Sequence, residues 1–204
     1  MCGRYFLSVD FKELIKRYHV ENTDLSSNDE ISHGSARGEI FPSQVVPVVV
    51  ESGSKKLIHM KWGFSPSFAN KLIINARGET VDKKPTFKAP FLYNRCLIPA
   101  QAFFEWEKRE NKKIKTRISL ADSDVFSMAG IYDQFLDSQQ NPFYAFSILT
   151  IEARDNLKNI HDRMPVILSR ASEDKWLDPE VEDSSKLKRL IKPFEGDFTI
   201  SRER

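Results

Sequence analysis

The sequence lacks the features that mark several large classes of protein. No apolar run approaches the about 20 residues that a membrane-spanning helix needs, and no charged start followed by an apolar stretch indicates a secretion signal. The net charge of the 204 residues is only +2. A strongly basic nucleic-acid-binding domain is thereby excluded, so any DNA contact has to be local. We expect one cytoplasmic domain over residues 1–204, with no membrane partner.

Signatures of metal and cofactor binding are also missing. The histidines are scattered, and neither a C-x-x-C nor an H-E-x-x-H spacing occurs. The chain has no glycine-rich phosphate loop, no dinucleotide fingerprint and no G-x-S-x-G elbow. We therefore predict chemistry that uses no metal and no cofactor.

Cysteine is scarce, since only Cys2 and Cys96 are present. In a reducing compartment two such thiols indicate one reactive and one buried residue rather than a disulfide, and Cys96 within "RCLIPA" is the one expected to be buried. Loss of Met1 would leave Cys2 with a free α-amine (pKa about 8) beside its thiol (pKa about 8.5). This 1,2-aminothiol offers two nucleophiles for an aldehyde or an amide. The alternative is that position 2 is merely a frayed terminus.

Short β-type runs dominate the remaining sequence. Asp10 is a plausible N-cap for an amphipathic helix, and further short helices are predicted at 152–160 and within 171–192. Residues 21–38 are predicted as a loop, and the charged stretch 107–117 as a solvated hairpin tip. Strands are predicted at 45–50, 56–62, 71–75, 95–99, 102–108, 113–121, 125–133 and 143–151. The pattern predicts an α+β, β-rich domain with a mostly antiparallel, barrel-like sheet core and a few flanking helices.

Three polar residues stand in surroundings that suit catalysis. Asn75 closes the apolar run "KLII", and His161 precedes an acid, an arginine and a proline turn. Glu105 lies among aromatic residues, where desolvation would raise its carboxyl pKa towards neutrality. Strand alternation offers another interpretation, in which Glu105 and Glu107 share a solvent-facing side and Glu105 is ordinary. An isolated histidine is likewise more often structural than catalytic.

Five motifs occur together and in order between residues 2 and 168. They are "MCGRY" at the start, "WGF" at 62–64, "NARGET" at 75–80, "KPTF" with "RCLIPAQAFFEW" at 84–106, and "IHDRMPVIL" at 160–168. The set resembles the SRAP family, the SOS-response-associated peptidases described as abasic-site processing proteins. The chain departs from the family pattern at Glu39, where members usually carry Asn, and at Ala102, where they commonly carry Gly. These departures affect a contact near Glu39 and leave the reacting groups in place.

The resemblance implies covalent capture of abasic sites in single-stranded DNA through Cys2 once Met1 has been removed. It also implies a monomer that associates with the bacterial nucleoid when it is bound to DNA. It implies that Asn75 holds the amine or the sugar, that Glu105 shuttles protons, and that His161 helps to open the sugar ring. Met1 would be removed either by the same centre or by an ordinary methionine aminopeptidase. Both routes stay open at this point.

Contacts to the DNA strand are expected from residues that flank the reacting motifs. The candidates are three arginines as phosphate clamps, two aromatic residues as stacking or wedge groups, and a neighbouring methionine: Arg4, Arg77, Arg163, Trp62, Phe64 and Met164. Alternatively, Arg77 pairs with Glu79 or Asp162, and Trp62 belongs to the core. No arrangement indicates readout of base edges.

Two other function classes fit parts of the sequence. An N-terminal-nucleophile amidohydrolase would use the Cys2 thiol against an amide with the α-amine as base, because "MCG" also opens glutaminase domains. A non-catalytic single-stranded DNA-binding module would leave Cys2 incidental. Exposure to abasic single-stranded DNA followed by a denaturing gel separates these alternatives.

Overall fold

A computed structural model of the protein describes residues 2–21, 38–110 and 112–202. Strands dominate this part of the chain. They are β1 (Arg4–Leu7), β2 (Gly38–Ile40), β3 (Val45–Glu51), β4 (Lys55–Trp62), β5 (Asn75–Arg77), β6 (Arg95–Ala100), β7 (Ala102–Arg109), β8 (Lys112–Leu120), β9 (Phe126–Leu136), β10 (Pro142–Glu152), β11 (Arg163–Pro165), β12 (Ile167–Leu168) and β13 (Phe198–Arg202). The helices are α1 (Phe11–Tyr18), α2 (Pro85–Tyr93), α3 (Asp155–Lys158), α4 (Arg170–Leu177) and α5 (Ser184–Lys188). The predicted α+β, β-rich class is confirmed.

The described strands form two sheets. The smaller sheet has the order β13-β8-β7-β1-β2, and its neighbouring strands are antiparallel. The larger sheet follows the order β11-β10-β4-β3-β6-β9-β12, with β5 paired to β10. Most of its pairs are antiparallel as well, but β10 runs parallel to both β4 and β5. The expectation of a mostly antiparallel core is therefore met.

The core of the protein lies where the two sheets face each other. Tyr5 of the smaller sheet and Trp62 of the larger one are fully buried, and their rings meet edge to face with centroids 5.2 Å apart. Trp62 also stacks on Phe146 of β10. The barrel-like expectation is corrected in one respect. Although β9 pairs with both β6 and β10, the two sheets do not form one closed barrel.

Several predicted boundaries shift in the structure. The run 71–75 is not a full strand, because only an isolated bridge joins Ile73 to Phe64 before β5 begins. The helix predicted at 152–160 shrinks to the single turn of α3, since β10 continues to Glu152. Of the predicted loop 21–38, residues 22–37 lie outside the described part of the chain, and β2 begins at Gly38.

Helix α2 was not predicted from the sequence. Its nine residues contain Pro85 in the first turn and Pro90 in the interior, and prolines in such a pattern usually indicate a turn. Pro85 suits the helix start because its fixed φ is already helical. Phe91 is fully buried and packs against Trp176, so tertiary contacts stabilise a helix that local propensity disfavours.

Helix α1 agrees with its prediction. The Asp10 side chain accepts a hydrogen bond from the Lys12 backbone N–H at 3.0 Å, and the helix ends at His19 in the left-handed conformation. Cys96 is fully buried with a free thiol, as predicted. Within the described residues, no helix combines the length and the apolar character that crossing a bilayer requires.

Candidate functional site

Cys2 lies directly before β1, the strand that pairs with β7 in the smaller sheet. Because Arg4 is opposite Phe104, continuing this register brings the start of the chain alongside Glu105. Cys2 is 0% exposed, and its Sγ donates to the Arg4 carbonyl oxygen at 3.6 Å. Burial raises the pKa of the Cys2 thiol, with the charge of Glu105 adding to the effect. The thiol is therefore protonated at neutral pH.

Asn75 reaches Cys2 from the larger sheet. It begins β5, which runs parallel to β10 with Asn75 opposite Ile148. Its Nδ2 donates to the Cys2 carbonyl oxygen at 2.9 Å. The other amide atom, Oδ1, is buried and accepts no hydrogen bond from the described residues. Asn75 thus fixes the backbone of Cys2 and holds a buried acceptor beside it.

Glu105 is a buried carboxyl group on β7, with a side chain only 3% exposed. Glu105 and Glu107 do share one side of the strand, as alternation requires, but that side faces the interior rather than the solvent. Desolvation by burial raises the pKa of Glu105 to about 7. A carboxyl group with this pKa exchanges a proton readily at neutral pH.

His161 comes from the turn before β11 and faces Glu105. Its Nε2 lies 3.8 Å from Glu105 Oε2. Its Nδ1 accepts the backbone N–H of Arg163 at 2.9 Å and also lies 2.7 Å from Asp162 Oδ1. Nδ1 must carry no proton to accept the Arg163 N–H, but it must carry one to donate to Asp162. Because the backbone amide always carries its proton, Nδ1 is the acceptor. Burial lowers the pKa of His161, so the ring is neutral with its proton on Nε2, towards Glu105.

The four residues predicted as catalytic therefore converge, although they come from four separate parts of the chain. Glu105 lies on the smaller sheet, and Cys2 directly precedes its strand β1. Asn75 begins β5 and His161 precedes β11, and both of these strands pair with β10 of the larger sheet. The arrangement places a protonated thiol, an anchored backbone, and an acid–base pair in one place. No group of metal-ligating side chains occurs among the described residues.

Arg4 lies at the edge of this site and is held by an acid. Its Nη1 bonds Glu39 Oε1 at 3.1 Å, and the other oxygen of Glu39 bonds Lys115 Nζ at 2.6 Å. Glu39 therefore bridges two cations. It is the first of the two positions at which the sequence departs from the SRAP pattern. The second departure, Ala102, is fully buried opposite Phe6.

The other two arginines lie on the opposite flank. Arg163 is not free, because it forms a two-pronged ion pair with Glu79 at 2.7 and 2.9 Å and bonds the Thr150 carbonyl oxygen. Glu79 is therefore the partner of Arg163, and Arg77 is exposed. Both arginines line an open depression of about 630 Å³ beside His161. Its charged lining residues are balanced between three cations and three acids: Arg77, Lys158, Arg163, Glu79, Glu152 and Asp162.

Three predicted DNA contacts are core residues instead. Trp62, Phe64 and Met164 are each 0% exposed, so their side chains form no part of the protein surface in this structure. The Trp62 Nε1–H donates to the Ile74 carbonyl oxygen at 3.0 Å, as expected of a core tryptophan. The aromatic residues that do reach the surface were missed. Among the described residues they include Phe41, Phe68, Tyr93 and Tyr144. Phe68 is 74% exposed between "SPS" and "AN", where turn residues around a lone aromatic were the available signal.

Comparisons with known proteins agree on one family. The sequence model described as "SOS response associated peptidase (SRAP)" matches residues 1–202. The abasic site processing protein YoqW of Bacillus subtilis (strain 168) is 35% identical over 97% of this chain and 89% of its own length. The abasic site processing protein HMCES of Gallus gallus is 30% identical over 72% of this chain and 52% of its own. A crystallised protein from Bacteroides thetaiotaomicron superposes with a TM-score of 0.88 and 26% identity, covering 100% of this chain and 92% of that one.

Proposed function

The chain belongs to the SRAP family, and on that premise we propose that it captures abasic sites in single-stranded DNA as a covalent adduct of Cys2, once Met1 has been removed. The observation that carries the proposal is the buried cluster in which Asn75 anchors Cys2 beside Glu105 and His161. The names of the relatives support abasic-site processing as the biological task.

The first chemical step uses the α-amine of Cys2. An abasic deoxyribose equilibrates between a closed hemiacetal and an open aldehyde, and the amine attacks the aldehyde carbon. Loss of one water molecule then gives a Schiff base between that carbon and the nitrogen of Cys2. The buried Oδ1 of Asn75 is suited to accept a hydrogen bond from this amine, because it has no other donor among the described residues.

The second step uses the thiol. The sulfur adds to the imine carbon while the thiol proton passes to the nitrogen, so a five-membered thiazolidine ring closes with no further leaving group. One aldehyde and one aminothiol thus become one ring and one water molecule. Because the raised pKa keeps the proton on sulfur beforehand, that proton leaves only as the carbon–sulfur bond forms.

Glu105 and His161 supply the proton transfers that these steps need. A carboxyl group with a pKa of about 7 can protonate the departing hydroxyl and accept a proton from the amine within one cycle. We assign to His161 the transfer of a proton to the ring oxygen when the sugar opens, with the carboxyl group of Glu105, 3.8 Å from its Nε2, as the source of that proton. For the DNA strand we propose phosphate contacts from Arg4, Arg77 and Arg163, with ion pairs to Glu39 and Glu79 exchanged for phosphate at two of them.

The test is to incubate the protein with an abasic single strand, resolve the products on a denaturing gel, and measure the mass of the linked N-terminal peptide. We expect a covalent band whose peptide starts at Cys2 and carries the sugar less one water. A linked peptide that still contains Met1 would rule out the thiazolidine. Hydrolysis of glutamine without a band would indicate the amidohydrolase, and retention of DNA on a native gel alone would indicate a binding module.

Replacing Asn75 with alanine is expected to slow formation of the adduct about fivefold. The variant loses the hydrogen bond to the Cys2 carbonyl oxygen, and one such bond contributes about 1 kcal/mol. The rate is measured at saturating abasic DNA, so that a binding defect does not contribute. Asn156→Ala, an exposed asparagine on α3, is the matched control and should react as the unmodified protein does. An unchanged rate in Asn75→Ala would remove Asn75 from the site.

A further inference from the structure

The outer face of the smaller sheet concentrates cations. Residues directly opposite each other in antiparallel strands point to the same side, which places Arg4, Phe104 and Arg117 in one row across β1, β7 and β8. The pairs Trp106 with Lys115 and Lys108 with Lys113 lie on that same side. The opposite side carries Glu105 and packs into the core. We call this outer surface the cation face, formed by Arg4, Phe6, Glu39, Phe104, Trp106, Lys108, Lys113, Lys115 and Arg117.

Three of the cations are fixed over aromatic rings. Arg4 lies 4.6 Å from the ring centre of Phe41 and 4.9 Å from that of Trp106. Lys115 lies 4.4 Å from Phe104, and Arg117 lies 4.2 Å from the ring centre of Phe6. Rings that hold a cation in position reduce the entropy lost when the cation binds an anion. The face is thus prepared to bind negative charge along a line.

The charge of this face differs from that of the protein as a whole. Its described strand residues include five cations, at 4, 108, 113, 115 and 117, and one acid, Glu39. The resulting +4 exceeds the +2 of the entire chain. The stretch 107–117 forms the exposed hairpin that the sequence predicts, and the pairing of β7 with β8 also brings its charges onto the side that carries Arg4.

Glu39 is the acid that interrupts this row. Burial acts to raise the pKa of Glu39, but the hydrogen bonds from Lys115 and Arg4 outweigh it and hold the pKa below its ordinary value. The carboxylate is thus ionised and bridges Arg4 and Lys115, where it occupies the position of an anion between two cations.

We propose that the cation face binds the phosphate backbone of the single strand that flanks the abasic nucleotide, and that Glu39 is the internal anion which the strand displaces. The proposal rests on the proposed function in one respect, namely that the strand enters at Cys2. Arg4 is two residues from Cys2 in the chain and begins the row, so one end of the face lies beside the start of the chain. Backbone contacts of this kind carry no base preference.

The length of the face sets a minimum length for the strand. From Phe104, opposite Arg4, to Lys108 the β7 backbone extends by about 13 Å at about 3.3 Å per residue. A strand stacked as in B-DNA, with a rise of about 3.4 Å per nucleotide, would span that distance with about four nucleotides, and a more extended strand would span it with fewer. A strand of several nucleotides on the flanking side is therefore needed to reach Lys108 and Lys113.

The experiment measures the affinity of the full-length protein for unmodified single strands as a function of salt. The variant Lys108→Ala/Lys113→Ala removes two exposed cations that make no ion pair in the described structure. For a strand of about 16 nucleotides we expect affinity about tenfold lower and a salt slope shallower by about 1.4, at about 0.7 per phosphate contact. A change of slope below about 0.3 would overturn the proposal.

A matched control and an opposite variant complete the test. Lys12→Ala/Lys175→Ala removes the same charge from helices α1 and α4 and should leave affinity and slope as they are. Glu39→Gln removes the carboxylate charge that bridges Arg4 and Lys115 and should raise affinity about tenfold, with a steeper slope. Unchanged binding in Glu39→Gln, or equal competition by a polyglutamate peptide of the same charge, would contradict a phosphate-binding role for the face.

These measurements need no covalent chemistry, so the two proposals fail separately. If abasic DNA gives no covalent band but the lysine variant still loses affinity for unmodified DNA, the cation face stands and the capture proposal falls. If the band forms and the lysine variant binds as tightly as the control, the capture proposal stands and the cation-face proposal falls.

Discussion

Replacing Cys2 with alanine is expected to abolish the stable adduct with abasic single-stranded DNA. Alanine keeps the α-amine, so the variant still forms a Schiff base, but without sulfur the ring cannot close and the imine hydrolyses on the denaturing gel. Addition of borohydride during the incubation reduces the imine and should restore a covalent band. This pair of results separates the role of the amine from that of the thiol.

The matched control for this variant is Cys96→Ala. Both thiols are fully buried, and burial raises the pKa of each, so the two substitutions remove the same group from similar surroundings. Each should cost about 1 kcal/mol of stability. Only Cys2→Ala should lose the adduct. Loss in both variants would point to a damaged fold, and persistence of the adduct in Cys2→Ala without reductant would disprove the thiazolidine.

Replacing Glu105 with glutamine is expected to slow the reaction by about 100- to 10,000-fold, the usual contribution of a general acid–base group. The same variant should gain stability relative to the unmodified protein as the pH rises. The unfolded chain releases the Glu105 proton near pH 4.5, whereas the folded protein holds it to about pH 7. Between these values the unfolded state binds fewer protons, so the free energy of unfolding falls with increasing pH, by about 3 kcal/mol in total.

Denaturant titrations of both proteins at pH values below, within and above this interval measure the effect. The stability difference between Glu105→Gln and the unmodified protein should move in favour of the variant by about 3 kcal/mol across the interval and stay constant above it. Glu107→Gln is the control, because the pKa of Glu107 is shifted in the opposite direction from that of Glu105. Hydrogen bonds from Arg202 and Arg109 hold the pKa of Glu107 below its ordinary value, so this variant loses stability at neutral pH, and the loss disappears on acidification. Parallel pH profiles for both variants would contradict the assignment of Glu105 as the tuned carboxyl.

Much of the fold could be predicted because alternation and turn residues are local properties. The helix at α1 and most strands from β3 to β10 follow from such patterns. Helix α2 could not be predicted, since the burial of Phe91 against Trp176 outweighs two prolines that locally favour a turn.

The site was predictable in its residue types but not in its geometry. Asn75 and Glu105 stood out because each is polar beside apolar residues, yet only the pairing of β1 with β7, and of β5 with β10, brings them to Cys2. Trp62 packs against Tyr5 of the other sheet, and Phe64 packs against Phe135 of β9 and Phe87 of α2, so no local pattern contains the contacts that bury them. The cation face was missed for the same reason, because Lys113 is opposite Lys108 only once the register of β7 and β8 is set.

The pairing of β1 with β7 also orders events during synthesis. Residues 4–6 find their partners at 102–104, about a hundred positions later in the chain. A ribosome adds about 5–20 residues per second, so Cys2 leaves it seconds before Glu105 exists and longer still before His161. During that interval the first strand has no neighbour on the β7 side, and the aminothiol has no proton donor. Under the proposed capture chemistry, the reactive end is therefore made first and becomes competent only after His161 has been added, so that adduct formation would report assembly of the complete site.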